Sequence, residues 1–265
     1  MTISIHKTYK KLFFIFCAML YLQPVYGCSV NKQQVKLFPY KSFVQIYNTV
    51  DIKKCKKNSP CKTGPLRSVG SGSVIDHHNG LTLILTAGHV CQSSLNPEID
   101  KLILEKENSL LVRMWDGSML EANILFSSLN PAIDLCSIYI MSHNKPVPKI
   151  SISKKRPIIG QEVVAMSAPL GIYHPPVVPL LQGRFSGDLP NSHTSIVTVP
   201  SQPGSSGAPV LNEDRQIIGV IYAVNSAFNH VTLSVNYSTV RDFIEHSLKL
   251  FKTKNMSTPI KVINQ

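Results

Sequence analysis

Along most of the chain, apolar and polar residues alternate in short runs broken by turn residues, the period-2 pattern of half-buried strands. Residues 42–47 (SFVQIY) alternate, residues 72–75 follow a Gly-Ser turn, and residues 81–86 (LTLILT) form a near-continuous apolar run. The series continues with residues 102–104 (LIL), 110–114 (LLVRM), 119–127 and 135–141. Between 142 and 157 the chain turns rich in Lys, Pro and Ser, which predicts a linker between two halves. A second series follows at 162–166, 180–185, 195–199, 208–211, 217–224 and 231–235. One helix is predicted over residues 239–251 (TVRDFIEHSLKLF), where Val240, Phe243, Ile244, Leu248 and Phe251 share a face at i, i+3, i+4 spacing. The pattern predicts an all-β chain with its two halves at residues 28–145 and 146–252, the second ending in the helix. Residues 253–265 form a polar tail.

The first 27 residues read differently. Lys7, Lys10 and Lys11 precede an apolar stretch at residues 12–22 (LFFIFCAMLYL), shorter than the ~20 residues a bilayer span needs. Val25 and Gly27 then place short residues at −3 and −1 of a cleavage point before Cys28, which predicts an export signal over residues 1–27. A cysteine at +1 makes Cys28 a candidate for lipidation of the bacterial lipoprotein type, with Tyr26 departing from the small residue usual at −2. The expected location is exported: periplasmic, secreted or, with lipid on Cys28, an outer-membrane lipoprotein. Lipidated Cys28 is the single membrane anchor expected.

Composition changes the picture little. With 265 residues, 43% apolar and 16% charged, the chain is neither a disordered tail, a collagen-like fibre nor a coiled coil. The net charge is +12; residues 1–27 hold three Lys and no acid, so removing them leaves 12 − 3 = +9. Such a surface attracts polyanions without specificity and equally serves as solubilising charge, so no specific nucleic-acid partner is predicted.

Export implies an oxidising compartment, which makes the cysteines informative. Cys55 and Cys61 bracket the polar turn KKNSP and are predicted to close a small loop. Cys91 and Cys136 fit either a disulfide or buried free thiols. No His/Cys cluster has zinc-ligand spacing, so neither a metal nor a cofactor is expected.

Three segments carry candidate chemistry. In LILTAGHVC (83–91) a buried strand ends in a small-residue turn presenting His89. In AIDL (132–135) Asp134 is flanked by apolar residues at the head of a strand, and in QPGSSGAPV (202–210) Ser206 sits in a Gly-rich turn before a strand. A serine hydroxyl is a poor nucleophile at neutral pH and needs an adjacent base. An imidazole serves if a partly buried carboxylate fixes its tautomer and stabilises its cationic form. Gly204 and Gly207 allow backbone conformations in which the N–H groups of Gly204 and Ser206 converge as an oxyanion hole. Each segment alone is weak; all three together, each at a strand boundary, are specific.

TAGH at 86–89, the Asp134-Leu135 pair and GSSGAP at 204–209 resemble the trypsin-like (chymotrypsin-fold) serine peptidases. GSGSVI at 70–75, SAPLGIYHPP…LQGRFSG at 167–187 and the hairpin at 211–220 look like the HtrA/DegP branch of that family. The resemblance covers residues 40–250. It implies two six-stranded antiparallel β-barrels with the site in the cleft between them. It implies His89 as general base, Asp134 as its orienting group, Ser206 as nucleophile, and Gly204, Ser205 and Ser206 as oxyanion-hole backbone. The implied activity is a serine endopeptidase acting on protein or peptide substrates. The implied substrate site has Pro200 and Ser201 at the pocket base, and Tyr222, Ala223 and Val224 as the strand that pairs with substrate. None of these is acidic, and Val224 stands where trypsins carry Gly, which predicts small or medium aliphatic residues at P1. About 14 residues follow the helix, so no PDZ domain is expected in this sequence. Ser205 replaces the Asp of zymogen-activated trypsins, which predicts an enzyme competent once its signal is removed.

Other readings compete. An α/β-hydrolase would pair Ser206 with Asp214 or Asp242 and with His230 or His246, but the second Gly of its elbow and the alternating helices are missing. A catalytically inactive, basic binding module on a peptidase scaffold, directed at glycans or anionic surfaces, is the alternative from another class. Asp76-His77-His78 offers metal-type ligands, although Asn79-Gly80 after it marks a hairpin turn. His174-Pro175-Pro176 is read as a loop near the cleft. Asn236-Tyr237-Ser238 and Asn255-Met256-Ser257 match glycosylation sequons. The Lys53–Lys57 run reads as a solvated loop.

Overall fold

The computed structural model describes residues 37–92, 97–128, 130, 132–142, 145, 147–225, 228 and 230–254. The expectations for residues 1–27, Cys28 and Asn255 lie outside them. Six strands form the first closed barrel: β1 (Phe43–Cys55), β2 (Gly64–His78), β3 (Leu81–Thr86), β4 (Ile103–Arg113), β5 (Met119–Ser127) and β6 (Cys136–Met141). They close in the order β1-β2-β3-β6-β5-β4, every pairing antiparallel. Six more form the second: β7 (Glu162–Met166), β8 (Leu180–Asp188), β9 (Thr194–Val197), β10 (Pro209–Leu211), β11 (Ile217–Val224) and β12 (Thr232–Val235). Their order is β10-β11-β12-β9-β8-β7. The expected all-β architecture of two six-stranded antiparallel barrels and a C-terminal helix is the one observed.

β3 explains how the barrels come together. Ile84 points into the first barrel with Val44, Ile46, Val112 and Ile138. Leu81, Leu83 and Leu85, on the opposite face, join a shared core that includes Val220 and Val235 of the second barrel. A strand buried on both faces has no solvent side, hence its near-continuous apolar run, and its two buried threonines spend their hydroxyls on His77 and on Ser71 C=O. The second barrel keeps its own smaller core, including Val163, Phe185, Val197 and Val210. The linker straps the halves together: Ile150 N–H donates to Val74 of β2 and Ser153 N–H to Ile217 of β11, both at 2.9 Å.

The C-terminal helix spans Tyr237–Lys252 and buries Val240, Phe243, Ile244 and Phe251 in the shared core. The Asn236 side chain caps its start, accepting from Thr239 N–H (3.0 Å) and donating to Ser192 C=O (3.1 Å). Asn236 is buried, so this sequon residue is a structural cap. Asn79 and Gly80 both have positive φ in the tight β2–β3 hairpin, as their pairing predicts. His77 beside them is spent on Thr82 Oγ1 (3.0 Å) and Val147 C=O (2.9 Å). The Cys55–Cys61 disulfide staples the β1–β2 connection.

Candidate active site

His89 lies on the helical turn Gly88–Cys91 directly after β3, and Asp134 lies just before β6. β3 and β6 are neighbours, with Thr86 paired to Cys136, so the residues following one and preceding the other meet at the same barrel end. The contact is two-pointed: His89 Nδ1 and Asp134 Oδ2 are 2.5 Å apart, and His89 N–H donates to Asp134 Oδ1 at 2.8 Å. A carboxylate only accepts, so Nδ1 carries the proton and Nε2 is left as the basic nitrogen. Burial by itself would push the Asp134 carboxyl up. The hydrogen bond from the His89 ring, its charge and the N–H groups of His89 and Gly88 outweigh that and hold it below its ordinary value. Cys91 and Cys136 are joined by a disulfide, which decides between the two states their sequence setting allowed.

The serine turn comes from the second barrel. Pro203 and Gly204 occupy the corners of a turn closed by Ser205 N–H on Gln202 C=O (2.9 Å), with Gly204 at φ +96° as a type II turn requires. Every carbonyl from Pro203 to Ser206 is then pinned. Pro203 C=O accepts from Leu170 N–H (2.6 Å), Gly204 C=O from Ser71 Oγ (2.8 Å), Ser205 C=O from Ala208 N–H (3.0 Å) and Ser206 C=O from Ser71 N–H (2.7 Å). In a trans peptide the N–H points opposite to the C=O. The Gly204 and Ser206 N–H groups therefore face away from these partners, and neither forms a hydrogen bond among the described residues. Ser205 differs from the expectation for it. Its N–H is consumed inside the turn, so it links the two donors and supplies none.

The structure joins His89 and Asp134 directly and sets the serine turn against the segment bearing the histidine. A Cβ placed on Gly207 would lie 2.2 Å from Thr86 Oγ1 and 3.0 Å from Ala87 N, and one on Gly70 would meet both Val90 (2.6 Å) and Ser206 O (3.2 Å). Asp242, His230 and His246 are engaged elsewhere, with Arg241, Phe228 and Phe126 respectively. Among the expected pocket residues, Pro200 is half-buried and Ser201 fully buried with no partner for its hydroxyl. Asn225 N–H donates across the β11–β12 hairpin to Val231 (3.1 Å), so the backbone of Val224 faces the other edge, which β10 leaves uncovered beyond Ile221. Tyr222 lines, with His89, Asp134, Asn130, Ser192 and His193, a cleft of ~800 Å³ between the barrels. Its hydroxyl bonds Thr194 Oγ1 at 2.9 Å. The described residues contain no group of His, Cys, Asp or Glu arranged to hold a metal.

The family model for the trypsin-like peptidase domain matches residues 70–220, more than half of the chain. The chain belongs to the trypsin-like peptidase family. Among curated proteins it is 29% identical over 189 residues to a protein of Pseudomonas fluorescens named "Probable periplasmic serine endoprotease DegP-like", covering 69% of this chain and 35% of that protein. A protein of the same name from a Marinomonas species is 24% identical over 185 residues, covering 68% and 35%. This trypsin-like peptidase chain thus spans about a third of the length of those relatives. The crystal structure of a serine endoprotease from Yersinia pestis superposes with a TM-score of 0.57 at 20% identity, over 79% of this chain and 64% of that one. That likeness shows a shared fold.

Residues that the motifs did not single out also build the site. Ser71 enters the sequence reading only within GSGSVI, and no motif contains Gln45 or Thr194. For Ser71 the available signal was a small polar residue between two glycines on a strand otherwise destined for burial.

Proposed function

We propose that this trypsin-like peptidase is an exported serine endopeptidase that cleaves peptide bonds through an acyl-enzyme. Ser206 is the nucleophile, His89 the general base and Asp134 the residue that orients it. The observation that carries this reading is the double hydrogen bond between His89 and Asp134 (2.5 and 2.8 Å), beside a serine turn whose Gly204 and Ser206 N–H groups are left unspent.

Ser206 Oγ attacks the scissile carbonyl carbon while His89 Nε2 takes its proton, and the carbonyl π pair moves onto oxygen. The Gly204 and Ser206 N–H groups receive that oxyanion, each such donor contributing about 3 kcal/mol to lowering the barrier. Asp134 stabilises the imidazolium. His89 then returns the proton to the amine as the C–N bond breaks, leaving Ser206 esterified. Water, deprotonated by His89, repeats the sequence, and the acid leaves with Ser206 regenerated. The substrate lies extended along the uncovered edge at Val224. Pro200, Ser201 and Val224 carry no charge, which favours small or aliphatic P1 residues over Lys or Arg. Residues 1–27 act as the export signal, consistent with relatives named periplasmic.

The test is labelling by a fluorophosphonate probe together with cleavage of a peptide library. Labelling that disappears in Ser206→Ala, with preference for Ala, Val or Leu at P1, is the expected result. An unlabelled, inert protein would refute the peptidase reading, and strict Arg/Lys cleavage would refute the pocket assignment.

A further inference from the structure

The turn at residues 168–171 sits between the serine turn and the first barrel and touches both. On one side Leu170 N–H donates to Pro203 C=O at 2.6 Å. A Cβ on Gly204 would come within 2.5 Å of Ala168 O, so the two turns are in direct backbone contact. On the other side stand Gln45 and Ser71, directly opposite each other on β1 and β2 and both buried. Gln45 Nε2 donates to Gly171 C=O (2.9 Å), and its own Oε1 accepts from the Tyr47 hydroxyl (2.6 Å). Ser71 Oγ accepts from Ala168 N–H (3.0 Å) and donates to Gly204 C=O (2.8 Å).

We infer that Ser71 is a positioning residue of the oxyanion hole, its hydroxyl setting the peptide planes that aim the Gly204 and Ser206 N–H groups. One hydroxyl uses both its functions at once, as acceptor toward the 168–171 turn and as donor to the serine turn. The Gly204–Ser205 peptide it holds is the link between the two donor-bearing peptides. Its own N–H holds Ser206 C=O, and its C=O accepts from Thr86 Oγ1 (2.8 Å), so the residue cannot move without moving the strand. Removing the hydroxyl leaves Gly204 C=O and Ala168 N–H buried without a partner, a state the backbone relieves by rotating those peptides. A rotated peptide aims its N–H away from the oxyanion. The first barrel therefore supplies, besides His89 and Asp134, the brace that shapes the second barrel's oxyanion site.

This inference rests on the peptidase reading, and the experiment separates the two. The variants are Ser71→Ala and Ser73→Ala. Ser73 lies two residues on along β2, equally buried, with a hydroxyl that has no partner, so its removal costs a similar change of volume but breaks no bridge. Steady-state kinetics on a peptide substrate are measured well below each melting midpoint, together with inhibition by a peptide boronic acid, whose adduct places an oxygen in the oxyanion site. Ser71→Ala is expected to lower kcat roughly 10- to 100-fold, below the effect of deleting a donor outright. KM should stay within about 2-fold and boronate affinity should fall in parallel with kcat/KM, whereas Ser73→Ala should change neither kcat nor boronate affinity by more than about 2-fold. An active wild type with Ser71→Ala retaining kcat, or with both variants losing rate and boronate affinity equally, overturns the inference and leaves the peptidase reading intact. A wild type that neither cleaves peptides nor labels at Ser206 removes both.

Discussion

Cys91 and Cys136 are bonded to each other, and each lies two residues beyond one member of the hydrogen-bonded His89–Asp134 pair. The disulfide thus ties the turn after β3 to the start of β6 at the point where histidine and carboxylate must stay in register. It closes a loop across 45 residues, for which chain entropy gives about 4 kcal/mol of stabilisation. The double variant Cys91→Ala/Cys136→Ala should therefore unfold at lower urea than wild type by about that free energy, while Cys55→Ala/Cys61→Ala, which opens a loop of only 6 residues, should lose less. Equal losses in urea titrations would mean that the longer crosslink is not what holds this barrel end.

In the proposed mechanism Asp134 both orients the imidazole and stabilises its cation, and one substitution tests that role. In Asp134→Asn the carboxamide can still accept one hydrogen bond but offers an N–H₂ where the imidazole needs an acceptor, favouring the wrong tautomer. We expect kcat to fall by roughly 10⁴-fold with little change in KM, as the same change does in the Ser-His-Asp template. A loss under tenfold would mean that Asp134 does not orient the base.

The same carboxyl makes a pH prediction. Its folded value lies below the unfolded one, so at acid pH the unfolded chain takes up the proton first. The contribution to stability is complete above the unfolded value of about 3.9 and disappears as pH falls through the folded value beneath it. Denaturant midpoints of wild type should drop in that window by more than those of Asp134→Asn. Parallel curves from pH 6 to pH 2 would show that the carboxyl is not held down.

Much of this was legible in the sequence, and the reason differs by element. Strands β3, β5, β7 and β11 begin and end where the apolar pattern does, because each is a barrel stave that packs apolar side chains on a core, deeply in β3, β7 and β11 and only partly in β5. β4 is different: residues 102–104 and 110–114 look like two short strands, yet one strand runs from Ile103 to Arg113. Its polar, largely exposed middle pairs with a stretch of β1 that still buries Val50 and Ile52, Asn108 standing opposite Val50 and Glu107 opposite Asp51. On β4, backbone pairing continues where burial stops, and hydropathy reports only burial. His89, Asp134 and Ser206 stand out in the sequence because the chemistry proposed for them needs rare local surroundings. The seat made by Gln45 and Ser71 does not, since the Ser71 hydroxyl meets partners 97 and 133 residues away, and its setting between two glycines marks tight space without naming those partners. Cys91 and Cys136 were undecidable for a similar reason: a buried thiol and a buried half-cystine ask the same of their neighbours.

Gly207 sits at φ +86° with no room for a side chain, its would-be Cβ falling 2.0 Å from Ser71 O. Gly207→Ala should push the serine turn off Thr86 and Ser71, costing at least the ~1–2 kcal/mol of left-handed backbone and abolishing probe labelling at Ser206. A labelled, fully stable Gly207→Ala protein would show that the turn can be displaced without penalty.

Val224 gives the sharpest handle on specificity. Its backbone faces an edge of β11 left unpaired among the described residues, and the proposed pocket assignment places a substrate's P1 residue beside the half-buried Val224 side chain. Shortening that side chain leaves the pairing groups unchanged and enlarges the space next to P1. Val224→Gly should therefore shift preference toward Leu, Met and Phe. The ratio of kcat/KM for Phe over Ala should rise roughly 10- to 100-fold relative to wild type, the discrimination that room for about one more methylene gives in an apolar pocket. The change should appear in relative rates across a P1 library while the Ser206 labelling rate stays near wild type. A P1 profile identical to wild type would place the pocket elsewhere and leave Val224 as an ordinary strand residue.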